Sequence, residues 1–444
     1  MTFWARQWLN AVAPTNFLLT NPVALRKFWE SGGQSLAAGF KLWLDDLRTG
    51  DVQMVDRSRF RVGGNLATTP GSVVYRNELM ELIQYVPMTG EVHAVPLVIV
   101  PPWINKYYIL DLNEKKSLLR YLASQGYTVF VISWKNPTAA QADTTFDDYL
   151  MKGTRRAIEV ASSICRAPQV HAAGYCIGGT ALAALMAWFN REHREASAVP
   201  VAHWTLLGTL TDFSRPGGIE VFVDEETINT LDAIMAQQGF LDGREMGRTF
   251  RLLRSNSLIW HYFVHNYLYG ETPPPFDVLY WNTDATRVPR AMHSFYLREF
   301  YLRNKLVAKD ELVLAGHALD LGRIRQPLYA VGCEEDHIAP WKATFAIAGR
   351  IAAPVRYTLS SSGHILGIVN PPLKPARRSY WSGEAGTDSP DEWLKRQRKI
   401  DGSWWESWDA WLGERCGAKV PARAPGSAQY PVLDAAPGTY VHDI

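Results

Sequence analysis

Residues 170–189 read VHAAGYCIGGTALAALMAWF: a short apolar run, a turn crowded with glycines, then a long apolar segment. The pattern demands a buried strand that turns directly into a buried helix, and few folds contain such a turn. Gly174, Gly178 and Gly179 flank the turn because its strained backbone leaves no room for side chains. The central position of this frame usually holds a serine nucleophile. Here it holds Cys176, with Ile177 opening a helix whose N-terminal amides would favour a thiolate. Taken alone, GYCIGG fits almost as well a cysteine that is merely a small buried apolar residue.

The surroundings favour the chemical reading. Apolar runs rich in β-branched residues occur at 96–100 (PLVIV) and 128–134 (TVFVISW), with a helical stretch between them, so the pair reads as a parallel strand, helix, strand unit. A helix over 146–165, the strand before Cys176, its helix and a strand in AHWTLLGTL continue the alternation, which resumes at 327–332 (PLYAVG) and 355–359 (VRYTL). This grammar predicts an α/β-hydrolase fold: a mostly parallel central sheet flanked by helices, with an inserted cap and a helical N-terminal segment. The expected divisions are a helical segment at 1–60, a catalytic core at 61–213 and 321–420, a cap at 214–320 that is dense in aromatics and prolines, and an extended tail at 421–444.

Sheets of this kind present the nucleophile first, then an acid, then a histidine, the last two in turns after strands. PLYAVG runs into CEEDHIAPW, which offers Glu334, Glu335 and Asp336, and VRYTL runs into SSSGHILG, which offers His364. Each residue alone is an ordinary turn residue; three types at three strand ends in the required order point to a triad. His364 would take the thiol proton of Cys176, and the acid would orient the imidazole. The oxyanion would be held by backbone N–H groups of Ile177 and, from the turn after the first strand, Ile104. Sulfur suits a thioester substrate, because exchange of one thioester for another is nearly isoenergetic and leaves the acyl group reactive toward an alcohol.

Composition narrows the partners. The 46 Lys and Arg nearly balance the 44 Asp and Glu, so no general field favours nucleic acid. The four cysteines form no C-x-x-C pair, which argues against a structural zinc site or a disulfide scaffold; no metal or other cofactor is expected, and a reducing cytoplasm is the simpler setting. No run reaches the roughly 18 apolar residues that span a bilayer, and the first residues lack the uninterrupted apolar core of a signal peptide.

Besides GYCIGG, the stretches PTNFLLTNP, PPWINKYYILDL, TVFVISWKNP, FVDEE, PPPFDVLYWN, MHSFYLREFYLRN, DLGRIRQP, EDHIAPW, SGHILGIVNPP, GSWWESW and VPARAPGS carry a resemblance. The chain resembles the polyhydroxyalkanoate synthases, bacterial polyester polymerases, of the single-subunit short-chain class. The resemblance implies that Cys176 carries the acyl group, that His364 is the general base, and that Asp336, rather than either glutamate, helps His364 to activate a 3-hydroxyl. It also implies an (R)-3-hydroxyacyl-CoA substrate, release of CoA, a growing polyester, a homodimer, and residence on cytoplasmic polymer granules. Trp103 departs from the family, many of whose members have a smaller residue there, so one wall of the acyl pocket is expected to differ. The family's N-terminal extension is shorter here.

In the cap, Tyr301 and Asn304 are candidates to shape the substrate path, and Arg254 is a candidate donor to a CoA phosphate, although a surface or ion-paired arginine is the ordinary reading. His337, beside Asp336, is a candidate to tune the site or an ordinary turn histidine. Most of the 17 tryptophans are expected in cores, the others facing polymer. A cysteine-triad hydrolase (thioesterase, esterase or depolymerase) is the competing enzyme reading, and a granule scaffold without chemistry is the competing non-enzymatic one.

Overall fold

The computed structural model describes residues 2–444. The chain forms two units: Met1–Arg61 with Gly243–Ala285, and Val62–Asp242 with Thr286–Ile444. The second unit carries an eleven-stranded sheet. In chain order its strands are β1 (Gly71–Arg76), β2 (Met80–Tyr85), β3 (Leu97–Val100), β4 (Val129–Trp134), β5 (Val170–Tyr175), β6 (Val201–Leu207), β7 (Leu328–Cys333), β8 (Val355–Ser360), β9 (Ser379–Ala385), β10 (Ile400–Asp401) and β11 (Asp434–Ala435). In space they run β10-β9-β8-β7-β6-β5-β3-β4-β2-β1-β11.

The six central strands, β4, β3, β5, β6, β7 and β8, pair in parallel. Every residue of β3, β4, β5 and β7 is buried, as expected of strands covered by helices on both faces. The flanks are antiparallel, with β2 on β4 and β9 on β8. Local pattern does not mark these flanking strands: MELIQY carries Glu81 and Gln84, yet both are fully buried. Glu81 is accommodated because Arg76 and the amides of Thr439 and Tyr440 all donate to its carboxylate, which ties the final residues of the chain to the sheet.

The helix over 146–165 forms as Phe146–Asp148 and Arg156–Cys165 joined by a π-helical stretch, Tyr149–Arg155. Gly153 lies in that stretch against the Trp134 ring, where a Cβ would come within 2.6 Å. The helical N-terminal segment is interrupted after Pro22–Glu30: Gly32 and Gly33 have positive φ, and the chain restarts as Gln34–Thr49. In the first unit this helix meets the segment Phe263–Leu268 so closely that a Cβ on Gly39 would lie 2.0 Å from the Tyr267 carbonyl oxygen.

Trp404, Trp405, Trp408 and Trp411 of the helix Trp404–Gly413 are buried in the second unit, whereas Trp8 and Trp29 of the first are 65% and 75% exposed.

Candidate active site

Cys176 occupies the cap position between β5 and the helix Ile177–Glu192, with φ 52 and ψ −125. A non-glycine residue there stores about 1–3 kcal/mol of strain, which the surrounding contacts must hold. The Cys176 amide donates to Leu207 at 2.9 Å, and its carbonyl accepts from Gly179 at 2.9 Å and Thr180 at 3.1 Å. The glycines permit this turn. A Cβ on Gly174 would lie 2.4 Å from the Gly179 Cα, one on Gly178 2.4 Å from the Val100 carbonyl oxygen, and one on Gly179 2.0 Å from the Thr209 hydroxyl. The helix start is thereby pressed onto the end of β3, and the half-buried thiol is held at the edge where the parallel strands end.

His364 sits on the loop after β8 and Asp336 on the loop after β7, both nearly buried. The imidazole Nδ1 hydrogen bonds to Asp336 Oδ2 at 2.6 Å. Asp336 Oδ1 accepts from the amides of Ile338 and Ala339, each at 2.8 Å, so the carboxylate is fixed from both sides. With Nδ1 committed, Nε2 is the ring nitrogen left to serve Cys176, whose charge acts on the imidazole. Burial pushes the His364 pKa down, but the charges of Asp336 and Cys176, together with the hydrogen bonds to both, carry it well above the ordinary histidine value. The site therefore favours the protonated imidazole. Glu334 and Glu335 are exposed and stand outside this chain of hydrogen bonds.

Parts of the support are invisible in the sequence. The Tyr175 hydroxyl donates to the His364 carbonyl at 3.1 Å and its ring stacks on the imidazole. Gly208, at φ 51, leaves space for the ring, since a Cβ there would lie 3.2 Å from it. The His364 loop is anchored from below by tryptophans: Trp404 Nε1 donates to the Gly367 carbonyl at 2.8 Å and Trp405 Nε1 to that of Ile368 at 2.9 Å. The run GSWWESW signals a buried aromatic helix, but nothing local to it names the loop it holds.

Ile177 is the first residue of its helix, so its amide is one of the donors an α-helix leaves without an internal acceptor. Thr286 pins the turn after β3: its amide donates to the Ile104 carbonyl at 3.1 Å and its hydroxyl to that of Trp103 at 2.5 Å. This fixes the backbone that carries the Ile104 amide. The Trp103 side chain is buried among Trp134, Phe146 and Tyr149, its Nε1 without a hydrogen-bond partner among the described residues. Phe146 continues that aromatic wall to Tyr296 and Phe300.

Tyr296, which sequence reasoning missed, joins Tyr301 near Cys176. Burial raises both tyrosine pKa values, and the charge of Cys176 adds to it. The i→i+5 turns of the π-helix Tyr296–Leu302 bring residues five apart onto one face, and the two rings meet at 5.3 Å. Asn304 acts instead as a brace for the turn after β6, its side chain accepting from the Phe213 amide at 2.8 Å and donating to Asp212 at 2.9 Å. His337 is half-buried beside Asp336, its carbonyl facing Gly217. Arg254 is exposed and belongs to the first unit, not to the unit carrying Cys176, Asp336 and His364.

An eleven-stranded α/β sheet with Cys176 at a strand-to-helix elbow and an acid-supported histidine at the strand ends defines an α/β-hydrolase-fold chain, and residues 95–371 match the alpha/beta hydrolase fold family. Residues 1–122 match the family described as poly-beta-hydroxybutyrate polymerase (PhaC) N-terminus. Three relatives cover 99% of this chain. "Poly(3-hydroxyalkanoate) polymerase subunit PhaC" of Cupriavidus necator is 46% identical and covered over 75% of its length. "Poly(3-hydroxyalkanoate) polymerase" of Methylorubrum extorquens is 44% identical and covered over 72%. The Rhizobium meliloti polymerase subunit PhaC is 41% identical and covered over 71%. The chain belongs to the poly(3-hydroxyalkanoate) polymerase family, whose members are acyltransferase-type synthases. No helix among the described residues is long and apolar enough to cross a membrane.

Proposed function

We propose that the chain polymerises (R)-3-hydroxyacyl-CoA, with 3-hydroxybutyryl-CoA the first substrate to test, into polyester through an acyl thioester on Cys176. The observation that carries this reading is the Asp336–His364 hydrogen bond, with the charge of Cys176 acting on the same imidazole, at an elbow that holds a cysteine where hydrolases of this fold usually hold serine. His364 Nε2 takes the thiol proton, and the thiolate adds to the substrate thioester carbonyl. The resulting oxyanion is received by the Ile177 and Ile104 amides. Collapse expels the CoA thiolate, which leaves with the proton from His364, and the acyl group remains on sulfur.

The 3-hydroxyl of the next unit then gives its proton to His364 and attacks the acyl-Cys176 carbonyl. An ester C–O bond forms as the C–S bond breaks, and the proton returns to sulfur. Asp336 keeps Nδ1–H pointed inward and stabilises the imidazolium in both halves. The chemistry uses only side chains and backbone of the chain itself. Tyr296 and Tyr301 bound the acyl site from the cap, and the aromatic wall from Trp103 to Phe300 limits the monomer side chain it admits. The polymer granule and a second copy of the chain are the proposed partners, in the cytoplasm; the exposed Trp4, Trp8, Trp29 and Phe40 of the first unit support contact with an apolar polymer surface.

Incubating the purified protein with (R)-3-hydroxybutyryl-CoA and measuring insoluble polyester against free hydroxy acid tests the reading. Polyester with stoichiometric CoA release is expected. Free acid alone would mean that water accepts the acyl group and the chain is a hydrolase.

A further inference from the structure

Lys106 lies two residues beyond Ile104 in the turn after β3, and it is nearly buried. An ammonium taken out of water is costly unless its donors are met. Its Nζ donates to the carbonyls of Val441 and Asp443 at 2.7 and 2.8 Å, at a 3₁₀ turn formed by Tyr440–His442. An apolar side chain of similar length would fill the space without that cost, so a buried ammonium at this point speaks for fixed geometry rather than for burial.

The segment that Lys106 grips is itself fastened to the sheet. The Thr439 and Tyr440 amides donate to Glu81 Oε2 at 3.0 and 3.1 Å, and the Tyr440 hydroxyl donates to the Asn77 carbonyl at 2.7 Å. The same turn has a second brace in Thr286, whose hydroxyl donates to the Trp103 carbonyl at 2.5 Å and whose amide donates to that of Ile104 at 3.1 Å. A trans peptide holds its C=O and N–H in one plane and pointing opposite ways, so fixing the Trp103 carbonyl fixes the direction of the Ile104 N–H. The entry of the turn is registered on the elbow of Cys176: the Pro101 carbonyl accepts from Trp134 Nε1 at 2.9 Å and lies 2.6 Å from where a Cβ on Gly178 would stand. With the entry seated against the elbow and the middle held by Thr286, Lys106 anchors the exit, and a slack exit would let the Ile104 amide shift relative to Cys176.

We propose that Lys106 is a positioning residue for acyl transfer: clamped on the Val441 and Asp443 carbonyls, it holds the Ile104 amide where the oxyanion forms, without touching substrate. The inference rests on the acyl-transfer reading above, in which Ile104 supplies one of the two oxyanion donors. The test separates two reactions of the same sulfur. Release of CoA from (R)-3-hydroxybutyryl-CoA passes through an oxyanion. Alkylation of Cys176 by iodoacetamide is a displacement at a saturated carbon: the S–C bond forms as the C–I bond breaks, iodide leaves, and no oxyanion arises.

In the full chain, Lys106→Met should lower kcat for CoA release about tenfold or more, short of the roughly 10²–10³-fold that loss of a whole oxyanion donor costs, with KM nearly kept. The rate of Cys176 alkylation, read by mass of the Cys176 peptide, should stay at the wild-type value. Lys106→Arg, which keeps a charged donor, should recover part of kcat. Lys106→Gln, which keeps an amide donor, carries the same comparison with a smaller loss if the methionine variant does not fold. A folded variant with wild-type kcat would overturn the proposal, as would a rise in KM with kcat kept, or alkylation slowed as much as CoA release, which would place the disturbance at the elbow or His364. Failure of the polymerase reading is separate: it shows in the wild type as free acid in place of polyester, while CoA release still reads the oxyanion donor whichever acceptor takes the acyl group.

Discussion

Replacing Asp336 by asparagine changes a single atom in the site, and the structure gives reason to expect the turn to survive. The Ile338 and Ala339 amides can still donate to the asparagine carbonyl oxygen. The amide NH₂ then faces His364 Nδ1 across the 2.6 Å contact, where two donors cannot meet. The ring must present Nδ1 as an acceptor and place its proton on Nε2, the nitrogen that has to take the thiol proton of Cys176. The loss in kcat should approach the roughly 10⁴-fold seen when such an acid becomes an amide. Loss of a hydrogen bond between charged groups should also cost about 1.5–3 kcal/mol of stability.

The pH dependence separates the two effects. Because the folded pKa of His364 is raised, its contribution to stability is complete below the unfolded value of about 6.5 and fades as pH rises through the folded value. The gap in unfolding free energy between wild type and variant should therefore be widest near about pH 6 and narrow toward alkaline pH. CoA release followed by a thiol reagent, and denaturant unfolding at several pH values, supply both readouts. A folded Asp336→Asn protein that keeps activity within about tenfold of wild type would refute the role given to the acid.

Gly178→Ala places a Cβ 2.4 Å from the Val100 carbonyl and 2.6 Å from that of Pro101, so denaturant melts should show a loss of about 1–3 kcal/mol, together with slower acylation as the elbow shifts. Trp404→Phe leaves the Gly367 carbonyl without its indole donor; unfolding should cost about 1–3 kcal/mol, and kcat should fall more than KM changes, because the His364 loop moves rather than the substrate site. Arg76→Ala strips the buried Glu81 of its cation while the Thr439 and Tyr440 amides remain, so the expected destabilisation, read by the same melts, is about 3 kcal/mol with kcat unaffected. Cys176→Ser, with a hydroxyl of much higher pKa facing the same base, should lose at least about 10²-fold in the CoA-release assay.

The central parallel strands and the helix after Cys176 were readable because each is a short buried apolar run closed by glycine, proline or a polar turn, and the order of Cys176, Asp336 and His364 followed from those strand ends. What escaped was written in long-range contacts. GSVVYR and MELIQY carry too many polar residues to look like sheet, and they join it only because Arg76 and the end of the chain satisfy Glu81. Tyr296 was missed because an α-helical period separates it from Tyr301, and a π-helix does not. The family resemblance chose Asp336 over its neighbouring glutamates; in space the same choice rests on reach, since Asp336 is the carboxylate that meets His364.

The claim that the acyl group travels on Cys176 is tested most directly by quenching the protein with (R)-3-hydroxybutyryl-CoA during turnover, digesting it and weighing the Cys176 peptide. A hydroxybutyryl or oligomeric adduct on Cys176, formed as fast as CoA is released and absent in Asp336→Asn over the same interval, is the predicted result. CoA release with an unmodified Cys176 peptide, or with the adduct on Cys165, Cys333 or Cys416, would contradict it.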